Sequence, residues 1–177
     1  RVLFRSDHKE EYIKNAYIKI INNAKKNVYL ETPYFVPDAP VLEALRISAL
    51  SGVDVRIIIP GKADHFFMKW AASSYIGELL DAGVRVYSYN NGFIHAKTIV
   101  SDSGVMSIGT ANMDIRSFKL NFEVNAFIYD DRIALDGEEQ FRKDMAFSEE
   151  ITKETYNNRS LLLRIEESLI RLVSPIL

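Results

Sequence analysis

The sequence contains no cysteine, which excludes a disulfide framework and a cysteine-based zinc site. It also lacks any apolar run near the roughly 20 residues that a helix needs to cross a bilayer. An excess of one charge is missing as well, because 22 Lys and Arg face 24 Asp and Glu, for a formal net charge of -2. Such a balance argues against strong non-specific binding to nucleic acid, while it leaves room for a local basic pocket.

The composition that remains is that of an ordinary globular domain. Hydrophobic residues make up 47% and charged residues 26% of the 177 positions, and a chain of this length buries a sizeable core. We therefore expect residues 1–177 to form a single soluble domain. The first residue is Arg1 rather than Met, and we expect the domain to come from a longer protein whose membrane segments lie elsewhere.

Hydrophobic periodicity predicts alternating helices and strands in the first half of the chain and closely spaced strands after it. Apolar residues three and four apart predict helices at 7–25, 41–50, 65–83, 113–118, 133–146 and 161–173. Alternating or β-branched runs predict strands at 28–31, 53–59, 84–89, 105–108 and 121–129, with another around 94–100, and 149–158 is predicted to be a connector. Together these elements predict an α/β fold, a mixed central β-sheet with helices on both faces.

The segment from Phe93 to Asn112 carries the groups that indicate chemistry. His95 and Lys97 are two residues apart, so on an extended strand their side chains leave the same face. A turn at 102–104 and a returning strand then bring Asn112 back to the same end of the sheet. Lys97 and Asn112 can hold phosphate oxygens there while a neutral imidazole attacks phosphorus. The alternative is a buried histidine and a surface lysine on an ordinary strand.

Glu123 is the one carboxylate in the apolar and amide residues that surround it on the predicted strand 121–129. A lone carboxylate on a core strand is costly unless it is paired, so we expect it to have a partner. The best candidate is His95, whose far ring nitrogen must donate a hydrogen bond if the near one is to attack. A structural salt bridge is the alternative.

Two further candidates lie on or directly after loops at the carboxyl ends of predicted strands, where open α/β sheets place ligands. Tyr34 belongs to an aromatic segment bracketed by Pro33 and Pro37, which cannot be helix and is a poor strand. This segment is predicted to line an active-site mouth, although packing of Tyr34 and Phe35 on the core explains the composition equally well. His65 begins the predicted helix 65–83, directly after the loop that follows strand 53–59. It is a candidate for substrate binding, and the alternative is a histidine at the surface or one that lies behind the residues in contact with the substrate.

The spacing of the central segment resembles the H-x-K-x(4)-D motif of the phospholipase D superfamily, which is followed six residues later by G-[ST]-x-N. All the matching residues are present, namely His95, Lys97, Asp102, Gly109, Thr110 and Asn112. Longer stretches resemble bacterial cardiolipin synthases of this type, among them E-T-P-Y-F-V-P-D (Glu31–Asp38), G-V-D-V-R-I-I-I-P-G-K-A-D-H (Gly52–His65) and G-T-A-N-M-D-I-R-S-F-K-L-N-F-E-V-N (Gly109–Asn125). The resemblance extends over nearly the whole chain, and Thr110 in place of the more common Ser keeps the hydroxyl.

This resemblance implies the C-terminal half of a two-motif enzyme of the bacterial cell membrane. Such an enzyme makes cardiolipin and glycerol from two phosphatidylglycerol molecules through a phosphatidyl-histidine intermediate. The implied partners are phosphatidylglycerol, the N-terminal catalytic half of the same polypeptide and the membrane surface, with no nucleic acid expected.

The resemblance also implies a role for each motif residue. Lys97, Thr110 and Asn112 neutralise charge on the phosphate oxygens, so neither a metal ion nor a cofactor is expected. Glu123 orients His95, as a Glu after the motif does in the superfamily. Asp102 belongs to the catalytic motif, but at a turn beyond the strand we expect it to brace the motif rather than to contact phosphate.

The chain carries only half of a two-histidine site, because neither His8 nor His65 is followed by a lysine two residues later. We expect the other half to lie elsewhere in the same polypeptide. The alternative is a single-motif phosphodiesterase or nuclease that works as a homodimer, which would be expected to show a basic groove. A non-catalytic scaffold would be expected to lose motif residues, and all of them are present.

Overall fold

The computed structural model describes residues 2–5, 11–62, 66–160 and 163. The strands in these ranges are β1 (Val2–Arg5), β2 (Asn27–Glu31), β3 (Phe35–Val36), β4 (Asp54–Pro60), β5 (Arg85–Tyr89), β6 (Thr98–Ser101), β7 (Val105–Gly109), β8 (Met113–Asp114), β9 (Val124–Ile128) and β10 (Ser148–Ile151). The helices are α1 (Tyr12–Asn23), α2 (Ala39–Leu50), α3 (Phe66–Asp81), α4 (Ile115–Lys119), α5 (Asp131–Ala146) and α6 (Lys153–Asn157). No helix in the described ranges is both long and apolar enough to pass through a bilayer.

The main sheet has eight strands in the order β1-β9-β7-β6-β2-β4-β5-β10. Strands β2, β4 and β5 are parallel to one another, whereas the other neighbours pair antiparallel. The predicted mixed sheet is therefore confirmed. The antiparallel run from β2 to β9 contains the hairpin of β6 and β7, which brings the two ends of the central motif together at the edge where β2 ends.

Helices cover both faces of this sheet, as predicted, and each face has its own apolar cluster. Val28 and Leu30 of β2 pack in the larger cluster, together with α1, α2 and α3. Tyr29 points to the other face, where its ring stacks on Phe141 of α5 at a centroid distance of 4.8 Å. Because both faces of β2 are covered, all five of its residues are buried, which explains the continuous apolar sequence of the central strands.

Two edge elements differ from the prediction of a connector at 149–158. Ser148–Ile151 forms β10, which pairs antiparallel with β5, and Lys153–Asn157 forms α6. An edge strand has a single neighbour and one wet side, so Glu149 and Glu150 fit it without any apolar alternation. The carboxylate of Glu150 accepts a bidentate pair of hydrogen bonds from the Arg85 guanidinium of the neighbouring strand, with N–O distances of 3.0 and 2.9 Å.

The aromatic segment after β2 also differs in part. Phe35 and Val36, between the two prolines, form the short strand β3, which pairs in parallel with Met113 and Asp114 of β8. The helix predicted at 113–118 accordingly begins only at Ile115. Residues 7–10 of the helix predicted at 7–25, His65 and most of the helix predicted at 161–173 lie outside the described residues.

Candidate active site

The candidate site lies at the end of the sheet where β2 and β7 end and β6 begins. The end of β7 and the loop after it lie against the start of β6, because the Gly109 N–H donates a hydrogen bond to the Lys97 carbonyl at 3.3 Å. The same loop contacts the start of β9, where the Thr110 N–H donates to the Val124 carbonyl at 3.0 Å. Gly109 is required at this crossing, because a Cβ there would approach the Val124 carbonyl oxygen to 2.3 Å. These bonds hold the loop that carries Thr110 against the Lys97 backbone, and Asn112 lies two residues further along the same loop. That the three side chains meet at one phosphate site stays a prediction.

His95 does not lie on a regular strand, which corrects the expectation that His95 and Lys97 share one. Residues 93–97 are irregular, and β6 begins only at Thr98. The alternation survives, however, because Ile94 is buried and Ala96 packs on the cluster under α5, whereas the His95 side chain is exposed. The ring of Phe93 lies beside the imidazole, with 5.7 Å between their centroids. His95 is therefore accessible to a substrate from solvent.

Lys97 lies against His95 and close to two acidic groups. Its Nζ donates a hydrogen bond to the His95 carbonyl oxygen at 3.0 Å. Partial burial lowers the pKa of Lys97, and the negative charges of Glu123 and Asp114 act in the opposite direction. The ammonium group therefore sits in a partly desolvated position, where its charge acts on an anion more strongly than it would in water.

Asn112 is held in the interior, with only 9% of its surface exposed. Its backbone N–H donates to the Ser117 hydroxyl at 3.1 Å, and its side chain hydrogen-bonds the carboxyl of Asp114. Burial raises the pKa of Asp114 in spite of the bonds from Ser117 and Asn112. The Asn112 Oδ1 atom, although buried, has no hydrogen-bond partner among the described residues, so this amide retains unused bonding capacity at the site.

Thr110 is an exposed residue of this loop, and its hydroxyl accepts a hydrogen bond but still has its own hydrogen to donate. The Oγ1 atom accepts a hydrogen bond from the Val124 N–H at 3.0 Å. A hydroxyl that accepts through one lone pair still has its own hydrogen to donate. Thr110 can therefore bind an anionic oxygen without giving up its contact with β9.

Glu123 precedes β9 instead of lying within it, one residue off the predicted position on a core strand. Its Oε1 atom accepts from the Ser117 hydroxyl at 3.4 Å and from the Asn121 amide at 3.2 Å. The carboxylate thus has hydrogen-bond donors, as its surroundings predicted. Its pairing with His95 stays a prediction, supported by the action of its charge on Lys97 beside His95.

Asp102 lies at the opposite end of β6 from His95 and Lys97. Its carboxylate accepts hydrogen bonds from the backbone N–H groups of Lys25 at 2.7 Å, Lys26 at 2.8 Å and Asn27 at 3.0 Å. Burial acts to raise the pKa of Asp102, but the three backbone donors outweigh it and the pKa lies below its usual value. Asp102 therefore clamps the turn between α1 and β2, and this location argues for bracing and against contact with phosphate.

Replacing Asp102 by Ala is expected to lower the free energy of unfolding by about 3 kcal/mol, because three backbone N–H groups lose a charged acceptor. Denaturant titration of the 177-residue chain measures this change. Asp136→Ala, which removes an exposed carboxylate of α5, is the matched control and should stay within about 0.5 kcal/mol of the wild type. Unchanged stability of Asp102→Ala with weakened phosphate binding would instead place the carboxylate at the substrate.

Tyr34 borders the site through its backbone. Its carbonyl oxygen accepts from the Thr32 hydroxyl at 2.8 Å, and the same hydroxyl accepts from the Met113 N–H at 3.0 Å, one residue after Asn112. Tyr34 is half-buried, whereas Phe35 is 1% exposed and packs in the core. Packing on the core is therefore shown for Phe35. Substrate binding by Tyr34 stays a prediction, which the short distance between its backbone and the segment after Asn112 supports.

Two buried polar residues of this region were not singled out from the sequence. The Asn125 amide donates to the Tyr17 hydroxyl at 2.7 Å and to the Ser107 hydroxyl at 3.1 Å, and it accepts from the Ala111 N–H at 3.2 Å. Glu31, at the end of β2, is 4% exposed and accepts from the Thr98 hydroxyl at 2.9 Å. A polar residue inside an apolar strand was the available signal for both.

Among the described residues no group of three or more His, Cys, Asp or Glu side chains is arranged to hold a metal ion. The chemistry that these residues can perform themselves is the binding of a tetrahedral anion by an ammonium, a hydroxyl and an amide group, next to an accessible imidazole.

Comparisons with known proteins agree with this geometry. A family model described as cardiolipin synthase, PLD-like domain, matches residues 17–145. The chain is 60% identical over 171 residues to a cardiolipin synthase of Clostridium perfringens and 58% identical to the major cardiolipin synthase of Bacillus subtilis. Each match covers 97% of this chain but 36% of the relative, so the chain spans about a third of the length of these curated relatives.

The fold is similar to that of a solved phospholipase D family member, Nuc from Salmonella typhimurium. The TM-score is 0.73 at 19% sequence identity, and the match covers 86% of this chain and 99% of that one. At this identity the likeness concerns the fold alone.

Proposed function

Because the chain belongs to the PLD-like domain family of cardiolipin synthases, we propose that it supplies one histidine half-site of a phosphatidyltransferase. The proposed reaction makes cardiolipin and glycerol from two molecules of phosphatidylglycerol at the bacterial cell membrane. The observation that carries the proposal is the complete motif, in which Lys97 contacts an accessible His95 and the loop that carries Thr110 and Asn112 is bonded to the Lys97 backbone. The complete active site would then contain a second histidine, supplied by the rest of the polypeptide.

The proposed cycle has two steps and two histidines. First, a nitrogen of one histidine bonds to phosphorus while the bond from phosphorus to the glycerol oxygen breaks, and the other histidine gives that oxygen its proton. Then the second histidine takes the proton of a hydroxyl on another phosphatidylglycerol, whose oxygen bonds to phosphorus as the phosphorus–nitrogen bond breaks. His95 takes one of these two roles, and Glu123 orients its ring.

The other candidate residues hold charge in this cycle. The Lys97 ammonium, the Thr110 hydroxyl and the Asn112 amide bind the phosphate oxygens, where negative charge develops in each transition state. Tyr34 and His65 are proposed to contact the substrate. Asp102 acts at a distance, by bracing the turn that precedes β2.

Exposed apolar side chains next to His95 and in the segment before Glu123 support contact with further surfaces. Phe93 is 42%, Leu120 is 67% and Phe122 is 88% exposed, and Phe122 directly precedes Glu123. Single exposed apolar residues are normal, but several at the edge of a catalytic site favour an interaction surface. We propose that this edge meets the N-terminal catalytic half and, beyond it, the membrane surface that presents the lipid.

The direct test uses the purified full-length protein in vesicles that contain phosphatidylglycerol. The expected products are cardiolipin and glycerol in equal amounts, measured by mass spectrometry and an enzymatic glycerol assay. Supercoiled plasmid is assayed in parallel for the nuclease alternative. Cleavage of DNA without formation of cardiolipin would overturn the proposed function.

The isolated 177-residue chain is expected to form no detectable cardiolipin, because it contains a single histidine-lysine motif. Light scattering across a range of concentrations gives its mass during the assay, and full-length protein at equal molar concentration is the control. Robust synthesis by a monomer would contradict a half-site. A dimer with activity would support pairing of two copies instead.

A further inference from the structure

Ser117 lies fully buried in the first turn of α4, in contact with two residues of the candidate site. Its backbone N–H donates to Oδ1 of Asp114, the N-cap residue of α4, at 2.6 Å. A side-chain acceptor at the N-cap satisfies one of the N–H groups that a helix start leaves without a partner. The cap therefore determines where the Ser117 hydroxyl is placed.

This hydroxyl joins the two functional parts of the half-site. The Oγ atom accepts from the Asn112 N–H at 3.1 Å and donates to Oε1 of Glu123 at 3.4 Å. A hydroxyl has one hydrogen and two lone pairs, so Oγ accepts from Asn112 while its hydrogen is shared between Glu123 and the Asp114 carboxyl, which the same hydroxyl also contacts. One buried atom thus connects the residue that binds phosphate with the residue that orients the histidine.

No regular element holds Asn112, because it lies in the irregular pair of residues before β8. Its N–H is buried, and a buried N–H without an acceptor costs about 1–3 kcal/mol. Without the Ser117 oxygen, the backbone at Asn112 would shift to find another acceptor, and the amide side chain would shift with it. On the other side, Glu123 would lose one of its hydrogen-bond donors.

We propose that Ser117 is a positioning residue for phosphatidyl transfer, whose hydroxyl holds the Asn112 amide and the Glu123 carboxylate in their productive arrangement. The proposal rests on the proposed function for its kinetic consequence. Its structural part, the bond to the Asn112 N–H, can be tested without any activity.

The kinetic test compares variants of the full-length protein on phosphatidylglycerol vesicles. Ser117→Ala is expected to lower kcat by on the order of 10- to 100-fold, the usual consequence of a small misplacement of catalytic groups, with KM changed less than about twofold because most lipid contacts remain. Ser117→Thr keeps the hydroxyl and is expected to recover most of the loss. Ser48→Ala is the control, because it removes another buried serine hydroxyl, that of Ser48 in α2, which donates to the Ile21 carbonyl at 3.3 Å. It should leave kcat unchanged.

Hydrogen exchange supplies the second readout. Exchange at the Asn112 N–H is expected to accelerate in Ser117→Ala and to stay as in the wild type in Ser48→Ala. Wild-type kcat in Ser117→Ala, or an equal loss of kcat in Ser48→Ala, would overturn the positioning role. If the wild-type protein makes no cardiolipin, the proposed function fails, and unchanged exchange at Asn112 would separately refute the inference about Ser117.

Discussion

Replacing His95 by Asn in the full-length protein is expected to lower the rate of cardiolipin formation by at least about four orders of magnitude, the scale seen when a nucleophile or its base is removed. In the proposed cycle His95 either bonds to phosphorus or carries the proton of the leaving and entering alcohols. An amide side chain does neither at neutral pH. The rate is measured from the appearance of cardiolipin in phosphatidylglycerol vesicles under initial-rate conditions.

The matched control is His8→Asn, which removes a histidine that has no lysine two residues later. It is expected to retain the wild-type rate. Because the His95 side chain is exposed, His95→Asn should keep the thermal stability of the wild type, so that loss of rate is not loss of fold. Retention of more than a tenth of the wild-type rate would remove His95 from the proposed cycle.

The second large effect concerns Glu31, whose carboxyl is buried at the active-site end of β2. Burial raises the pKa of Glu31 to about 7, partly offset by the hydrogen bond from Thr98 and reinforced by the carboxylate of Asp144 in α5. One carboxyl oxygen, Oε1, has no partner in the hydrogen-bond pattern of the described residues. A carboxyl in this setting is more stable in its neutral form.

The sign of the resulting pH dependence follows from the two states. Below the unfolded pKa of 4.5, Glu31 carries its proton whether the chain is folded or not. As the pH rises towards 7, the unfolded chain releases this proton first, so folding loses stability through this window. A pKa raised from 4.5 to about 7 corresponds to a loss of about 3 kcal/mol, complete above pH 7.

The unfolding free energy of Glu31→Gln minus that of the wild type is therefore expected to increase by about 3 kcal/mol as the pH rises from 4.5 to 8. Denaturant titrations of the 177-residue chain at a series of pH values measure this difference. Glu149→Gln removes the same charge from an exposed position in β10 and should show no such trend. A difference between Glu31→Gln and wild type that is constant with pH would mean that Glu31 is ionised in the folded state throughout.

Glu31 also connects stability to the site. Its acceptor oxygen receives the hydroxyl of Thr98, which directly follows Lys97 and opens β6. Ionisation of Glu31 would strengthen this bond while introducing a buried charge next to Asp144. The pH dependence of stability therefore arises at the end of β2, in contact with the residue that follows Lys97.

The class of fold is predictable from the sequence by itself, and so is the set of candidate residues for the site. Spacing along the chain identifies His95, Lys97, Thr110 and Asn112, because a motif is a set of fixed separations and separations are local information. The alternation of apolar helices with β-branched runs predicts a mixed sheet covered on both faces, because burial on two sides requires continuous apolar strands. Even the bracing role of Asp102 was indicated by its turn position.

The tertiary structure decided the partners of the buried polar groups. The carboxylate of Asp102 meets the backbone at Lys25 to Asn27, some 75 residues away in the chain, and no local pattern encodes such a pairing. Glu31 meets Thr98 only because β2 and β6 align them in antiparallel register. The sequence did not predict the edge strand β10 because one side of it faces solvent, and strand prediction relies on apolar residues that such a strand lacks.

The same limit applies inside the site. That Ser117 stands between Asn112 and Glu123 depends on where the cap at Asp114 starts α4 and on how the loop before β9 folds back over it. The spacing of a motif names the groups that perform the chemistry, whereas the hydrogen bonds that hold them follow from strand register and packing, which exist only once the chain has folded.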